Sequence, residues 1–498
     1  MSPGGWLLVA ILLSSLLPGA AIFFLPEERQ AIRTTLNLAG AASKLCLVGV
    51  LLWGVFRERA FEARLPFLPG HDLALRADAL SVLFVSLSAG LWFLTTLYAV
   101  GYLERSPHRS RFFGFFSLCV TATVGVALAG NLVTFLLFYE LLTLATYPLV
   151  VHRGTETALR AGRVYLAYTL AGGAVLLVAV VWLHTLAGPF DFREAGALSG
   201  TAAGHGAALT AIFGLLVLGV GVKAALVPLH GWLPTAMVAP APVSALLHAV
   251  AVVKAGAFGI VRLVYNVYGV ELAAGLGVLG PLAALAALTI VYGSLRALVQ
   301  SDLKRRLAFS TVSQVSYIVL GVATVGPLAT IGGVAHLVHQ GLMKITLFFC
   351  AGNLAETLGI HRVSEMNGVG RRLPWTMAAF TVAAFGMIGV PPMAGFVSKW
   401  YLGLGALEAH MPWVLGVLVA SSLLNAAYFL PILHAAWFKP QQGPWPAETP
   451  RARFETDWRL LLPPLVTALL TVATGLLAAT PFSPLDWARL IAVRAYLR

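Results

Sequence analysis

Runs of roughly twenty mostly apolar residues, the length a helix needs to cross a bilayer, follow one another along almost the whole chain. About fourteen can be marked off: 4–25, 34–55, 78–101, 112–130, 132–151, 164–188, 207–229, 242–266, 273–295, 307–325, 328–355, 375–407, 412–437 and 460–480. This pattern overrides what length alone would imply, since 498 residues would ordinarily make three or four soluble domains of roughly 150 residues. Charged residues are only 11% of the chain, against about 25% in soluble proteins. So few charges cannot cover a soluble surface of this size. No strand-like alternation separates the runs, which argues against a barrel. The fold class expected is an all-α polytopic membrane protein, with Met1–Ala20 retained as its first helix because no basic leader precedes it.

With fourteen spans both termini share one side. Of the 33 Lys and Arg residues, 19 fall in loops after odd-numbered spans and 9 on the opposite side, while five lysines lie inside apolar runs. Arg105, Arg109 and Arg111 form the loop after the third span, and Arg296, Lys304, Arg305 and Arg306 the densest one. The bias places odd loops in the cytoplasm and both termini outside it, in a bacterial-type inner membrane. It also accounts for the net charge of +13 as a topology signal, so nucleic acid is not an expected partner. Cys46, Cys119 and Cys350 form no CxxC pair and read as small core residues.

Two spans are interrupted near their middles, at Lys223–His230 and at Gly389–Lys399, and each carries proline and one lysine. They are the seventh and twelfth spans. An offset of five suggests two five-helix repeats, and an odd number of helices inverts the second copy. The expected organisation is helices 1–3 in 1–110, a first repeat in 111–267, a second in 268–438, and a loop with helix 14 in 439–498. The polar stretches Arg57–Asp78, Gly188–Gly206 and Lys439–Arg459 are too short to bury a core of their own.

A charge at the bilayer centre costs about 3 kcal/mol on insertion scales, so ionisable residues inside spans are the functional evidence. Glu140 is the one carboxylate deep within a run. Lys223 precedes the Pro228 break, where freed carbonyls could serve a cation or water. Glu140 is its expected partner, in a pair that forms and breaks. His248 and Lys254 share the eighth span. In the eleventh, His336, Gln340 and Lys344 repeat every four residues on one helix face with His339 beside them. Imidazole exchanges protons near neutral pH, as a relay requires. Lys399 follows the second break, and Tyr139, Tyr147 and Ser310 are expected beside water chains. Lys44 has no partner in the sequence and reads as a lipid-side or interface lysine with no assigned role. The HxxH pattern of His336 and His339 lacks a third metal ligand nearby, and no metal is expected. Gly275–Gly280 matches GxGxxG but lies in a membrane run with no preceding strand, so it signals helix packing rather than a dinucleotide. The chain shows no cofactor site and no redox or hydrolytic centre.

These residues resemble a known family. Lys223–Pro234, continuing through Ala239, Pro240 and Pro242–Ala245 to His248, is similar to the signature of the antiporter-like subunits of respiratory complex I, shared with multisubunit Mrp sodium/proton antiporters and membrane-bound hydrogenases. Asp302–Arg305 with Phe309–Gln314 is a second such block and Gly389–Phe396 a third; the likeness spans roughly residues 70–440. Val363–Trp375 and the lysine of span 12 most resemble the D-type Mrp subunit.

The resemblance implies a proton-translocating subunit of a larger membrane complex, with sodium exchange and a redox-driven host both open. Its partners would be other membrane subunits, the bilayer and protons. An independent solute carrier and a structural scaffold are the rival readings. By resemblance, Glu140 matches the fifth-helix glutamate paired with the seventh-helix lysine, here Lys223. His248 and Lys254 match the eighth-helix relay, Lys344 with His336 and His339 the eleventh-helix relay, and Lys399 the lysine at the exit. Many relatives carry histidine four residues before the span 11 lysine, where this chain has Gln340. Either His339 substitutes or Gln340 holds a water.

Overall fold

The computed structural model describes residues 3–103, 106–198, 204–449 and 454–496; Arg105 lies outside them. In order, the spans are α1 (Pro3–Phe23), α2 (Gln30–Phe56), α3 (Ala79–Tyr102), α4 (Arg109–Leu128), α5 (Leu132–Val150), α6 (Glu156–Ala187), α7 (Gly206–Lys223) and α8 (Ala241–Tyr268). They continue with α9 (Leu279–Leu298), α10 (Leu303–Ala323), α11 (Pro327–Leu358), α12a (Pro374–Ile388), α12b (Ala394–Glu408), α13 (Trp413–Phe438) and α14 (Trp458–Leu476). Among the described residues thirteen helices are long and apolar enough to cross a membrane, and the α12a–α12b pair makes the fourteenth span.

Local chemistry sets many of the ends. Asp78, Asn131, Thr155 and Asp302 are N-caps whose side chains accept backbone N–H bonds from the first turns of α3, α5, α6 and α10. The Thr155 cap starts α6 eight residues before the apolar run begins, so Arg160 and Arg163 lie on the helix itself.

Helices α4–α8 and α9–α13 are the two five-helix units. Consecutive spans alternate in direction, so α9 enters the bilayer opposite to α4. In each unit the fourth member is broken, at Ala224–Gly231 and at Gly389–Met393. At the centre, α8 and α11 are buried along their whole apolar length, and α11 packs against α3, α8, α10, both halves of α12 and α14.

Two features depart from the sequence reading. The stretch read as a polar loop forms a hairpin, β1 (Phe61–Leu68) and β2 (His71–Ala77), with Phe61 opposite Ala77 and Leu65 opposite Leu73. Its alternation is short: Phe61 and Ala63 are buried, while Glu62 and Arg64 are exposed. The hairpin docks on the α4–α5 turn, where Gly130 N–H donates to the Ala74 carbonyl (2.8 Å) and Ala74 N–H to Thr134 Oγ1 (2.9 Å). The tail after α14 forms a further helix, α15 (Pro484–Tyr496), too short to span. It lies against α11 and α3, and Trp487 Nε1 donates to the Ala79 carbonyl at 2.6 Å.

One buried ion pair ties the repeats to the first helices. Arg262, near the end of α8, grips Asp78 through two bonds of 2.5 and 2.9 Å and donates to Ser81 Oγ at 2.6 Å. Burial would raise the Asp78 carboxyl, but the Arg262 guanidinium and the Ser81 N–H outweigh it and hold it below its ordinary range. This contribution is present above the unfolded carboxylate value of about 3.9 and is lost as pH falls through the lowered folded value. Removing one partner strands a buried charge. Asp78→Ala is expected to destabilise the protein by about 3–5 kcal/mol, read as a lowered thermal midpoint in detergent that converges on wild type as the pH is made acidic.

Candidate functional site

The first cluster forms where α7 stops. Pro228 offers no N–H and Ala225 takes a left-handed φ of 56°, so the chain leaves the helix after Lys223. The break lies against α8 at Gly256, where any Cβ would overlap the Ala224 nitrogen. Trp232 Nε1 returns to the Val222 carbonyl at 2.7 Å and closes the loop. Lys223 thus ends a helix inside the protein, fully buried, and its ammonium donates to the Tyr139 carbonyl of α5 while lying 3.3 Å over the Tyr139 ring.

Glu140, the expected partner, is not in contact. No Glu140–Lys223 ion pair within 4.0 Å exists among the described residues, and Glu140 Oε1 is buried without a hydrogen-bond partner. The reason is helical geometry: adjacent residues point about 100° apart. Lys223 meets the Tyr139 backbone, while Glu140 turns toward α6, where a Cβ on Gly173 would overlap Oε1. The pair expected to form and break is open in this structure, with the two side chains as neighbours.

His248 lies in a π-helical turn, Leu246–Val250, which widens α8 just before Lys254. Its ring stacks on Phe348 of α11 at 4.4 Å, and neither ring nitrogen has a protein partner. Lys254 crosses to α11 and donates to the Leu337 carbonyl at 2.6 Å. On α11, His336 Nδ1 meets Ser398 Oγ at 2.8 Å and Nε2 meets Gln314 Oε1 at 3.2 Å. His339 and Gln340 have buried side-chain polar atoms without partners. Lys344 reaches α10, donating to Ser310 Oγ and to the Leu307 carbonyl (3.2 Å). The HxxH residues face different surroundings, and no group of three or more metal-ligating side chains occurs among the described residues.

Lys399 differs from Lys223 in its place on the broken span. It lies on α12b and reaches back to the Met387 and Ile388 carbonyls (2.9 and 2.8 Å) at the end of α12a, and to Ser422 Oγ at 2.9 Å. Those carbonyls are the orphan acceptors every helix C-terminus leaves, where a cation is favoured.

Sequence reasoning missed how these groups are joined. Gln314 and Ser398 bracket His336, and Ser422 and Asn425 of α13 meet Lys399 and the Met387 carbonyl. Their only signal is polarity within apolar runs. A cavity of about 370 Å³, lined by Arg153, Arg160, Lys304 and Arg305, opens at the odd-loop end, and Lys304 donates to the Ala239 carbonyl ahead of His248. Replacing Lys399 with Met leaves the Ile388 carbonyl unmet, and Met387 only its bond from Asn425. Hydrogen exchange over 389–398 is expected to rise in Lys399→Met, with α8 and α10 unchanged.

Comparison with known proteins supplies the context. The chain matches the family described as NADH:quinone oxidoreductase/Mrp antiporter, TM, over residues 129–425, and the complex I chain 5 N-terminus family over 70–113. It is 37% identical to NADH-quinone oxidoreductase subunit N of Desulforudis audaxviator (strain MP104C), over 82% of this chain and 83% of that one. It is 27% identical to the D-type Na(+)/H(+) antiporter subunit of Bacillus subtilis (strain 168), over 93% and 92%. Among solved structures, a chain of the Mrp complex from Dietzia sp. DQ12-45-1b shares the fold with a TM-score of 0.87 at 23% identity, covering 100% of this chain and 98% of that chain.

Proposed function

Because this chain belongs to the NADH:quinone oxidoreductase/Mrp antiporter transmembrane family, we propose that it is a proton-translocating subunit of a larger membrane complex. The observation that supports this most is the manner in which its intramembrane lysines are held. Lys223, Lys254, Lys344 and Lys399 donate to backbone carbonyls, joined by hydroxyls at Lys344 and Lys399, and to no carboxylate. A carboxylate at contact distance would lock an ammonium in its charged form, whereas neutral acceptors leave the proton exchangeable. The unpartnered polar atoms of His248, His339 and Gln340 lie among these lysines, in positions water would complete.

In this reading protons enter from the cytoplasm at the odd-loop side through the half containing Lys223, His248 and Lys254. They pass along His336, His339 and Lys344 with bound water to Lys399, and leave on the far side. Glu140 is the switch: near Lys223 it favours the ammonium, and turned toward Gly173 it leaves the lysine to release its proton onward. Partner subunits time that movement. The rival reading, an independent solute carrier, predicts substrate transport by the isolated chain. Sodium as the counter-ion and the choice between a D-type antiporter host and a redox host belong to the same proposal; co-purifying subunits distinguish the hosts.

The test is proton movement into sealed vesicles holding the assembled complex, followed with a pH-sensitive dye. Glu140→Gln and Lys223→Met are each expected to reduce it at least about tenfold, equal to about 1.4 kcal/mol of barrier, with assembly intact. Unchanged flux in both variants overturns the scheme.

A further inference from the structure

The lysine left without a role lies outside this axis. Lys44, midway along α2, reads from the sequence as a lipid-side or interface residue, yet it is 0% exposed. It donates to Ser15 Oγ of α1 at 2.6 Å and lies 5.1 Å over the Trp92 ring of α3; Ser15 Oγ in turn is 2.7 Å from Thr121 Oγ1 of α4. These groups do not titrate at physiological pH. No carboxylate lies within 4.0 Å of Lys44 among the described residues. An ammonium so placed has hydroxyl and aromatic neighbours but no counter-charge.

The hydrogen-bonded neighbours of Lys44 lie toward the α1–α2 loop, while on α3 Ser88 and Thr96 flank Trp92 with buried hydroxyls that have no partner. Arg33, Asn37 and Lys44 lie on the buried face of α2, and Ser110, Ser117 and Thr121 on that of α4. Arg33 Nη1 donates to Ser110 Oγ at 2.8 Å, and Ser117 Oγ approaches Asn37 Oδ1 at 3.5 Å. Asn37 Nδ2 is buried with no partner. At the rim, Glu27 accepts the Arg109 and Ser110 backbone N–H groups at 3.0 Å each. Beyond Lys44 the buried residues of α2 are Val48, Leu51, Gly54 and Val55, and those of α1 before Ser15 are Gly5, Leu8, Ile11 and Leu12. Close packing leaves little other space, since a Cβ on Gly19 would stand 2.7 Å from the Ser117 Cβ.

We propose that Lys44 is a proton-exchanging site reached from the membrane face of the α1–α2 loop, through Asn37, Ser117, Thr121 and Ser15. Hydroxyl and amide groups both donate and accept, so a proton from solvent at the Arg33 rim moves along them with intervening water, and a new N–H bond forms on the neutral amine. Release retraces the same route, because the hydrogen bond that Lys44 makes leads to Ser15 and on to Thr121. The site follows the pH of one compartment and is independent of the Glu140–Lys223 arrangement.

The test reads Lys44 itself and needs no transport. The full chain, in a single orientation in sealed vesicles, is treated with formaldehyde and cyanoborohydride, which methylate neutral amines, and Lys44 modification is quantified by mass spectrometry. Raising the pH on the α1–α2 loop side alone is expected to increase methylation several-fold, and raising it on the other side to change nothing. Asn37→Leu should suppress the response; the near-isosteric Thr121→Val provides the same test if Asn37→Leu does not fold. A response to the opposite side, equal responses in wild type and both variants, or a Lys44 unmodified at every pH overturns the proposal.

Discussion

In hydrocarbon an unsatisfied polar group costs several kcal/mol, and this cost organises the protein. Spanning helices satisfy their own backbones. The broken helices do not, and the freed carbonyls become the acceptors for charged side chains that would otherwise be intolerable. At α12 the exchange is direct, with Lys399 meeting the Met387 and Ile388 carbonyls that the Gly389–Met393 break leaves open. Interruption and lysine are each costly alone and stabilise one another together.

The same logic separates structural charges from exchangeable ones. Arg262 is held by a carboxylate through two bonds and keeps α8 fastened to α3. The lysines of α7, α8, α11 and α12b have only neutral acceptors. Arginine, always charged and forked, suits the fixed tie; lysine, a point charge that can become neutral, suits proton exchange. Lys44 falls in the second group by its surroundings, though it lies outside the two repeats.

Small residues set how closely these elements approach. Gly256 admits the α7 break against α8, Gly173 leaves space for the Glu140 carboxylate, and Gly395 allows α12b to lie on the Gly386 carbonyl of α12a. A methyl group at any of them would displace a backbone or a functional side chain, so their role is steric.

Hydropathy by itself determined the number of spans, the two interruptions and most of the intramembrane ionisable residues, because burying charge in lipid is costly enough to be visible in one dimension. The fold class and family followed from the same residues. Only the tertiary structure decided which groups meet. Helical phase turned Glu140 away from Lys223 and toward Gly173, cross-helix packing brought Gln314 and Ser398 to His336, and burial among α1, α3 and α4 removed Lys44 from the lipid. The hairpin and α15 escaped the sequence reading because their signals are a few alternating residues and one short amphipathic turn pattern. Partners far apart in the chain leave no local pattern, so their contacts exist only once the helices are packed.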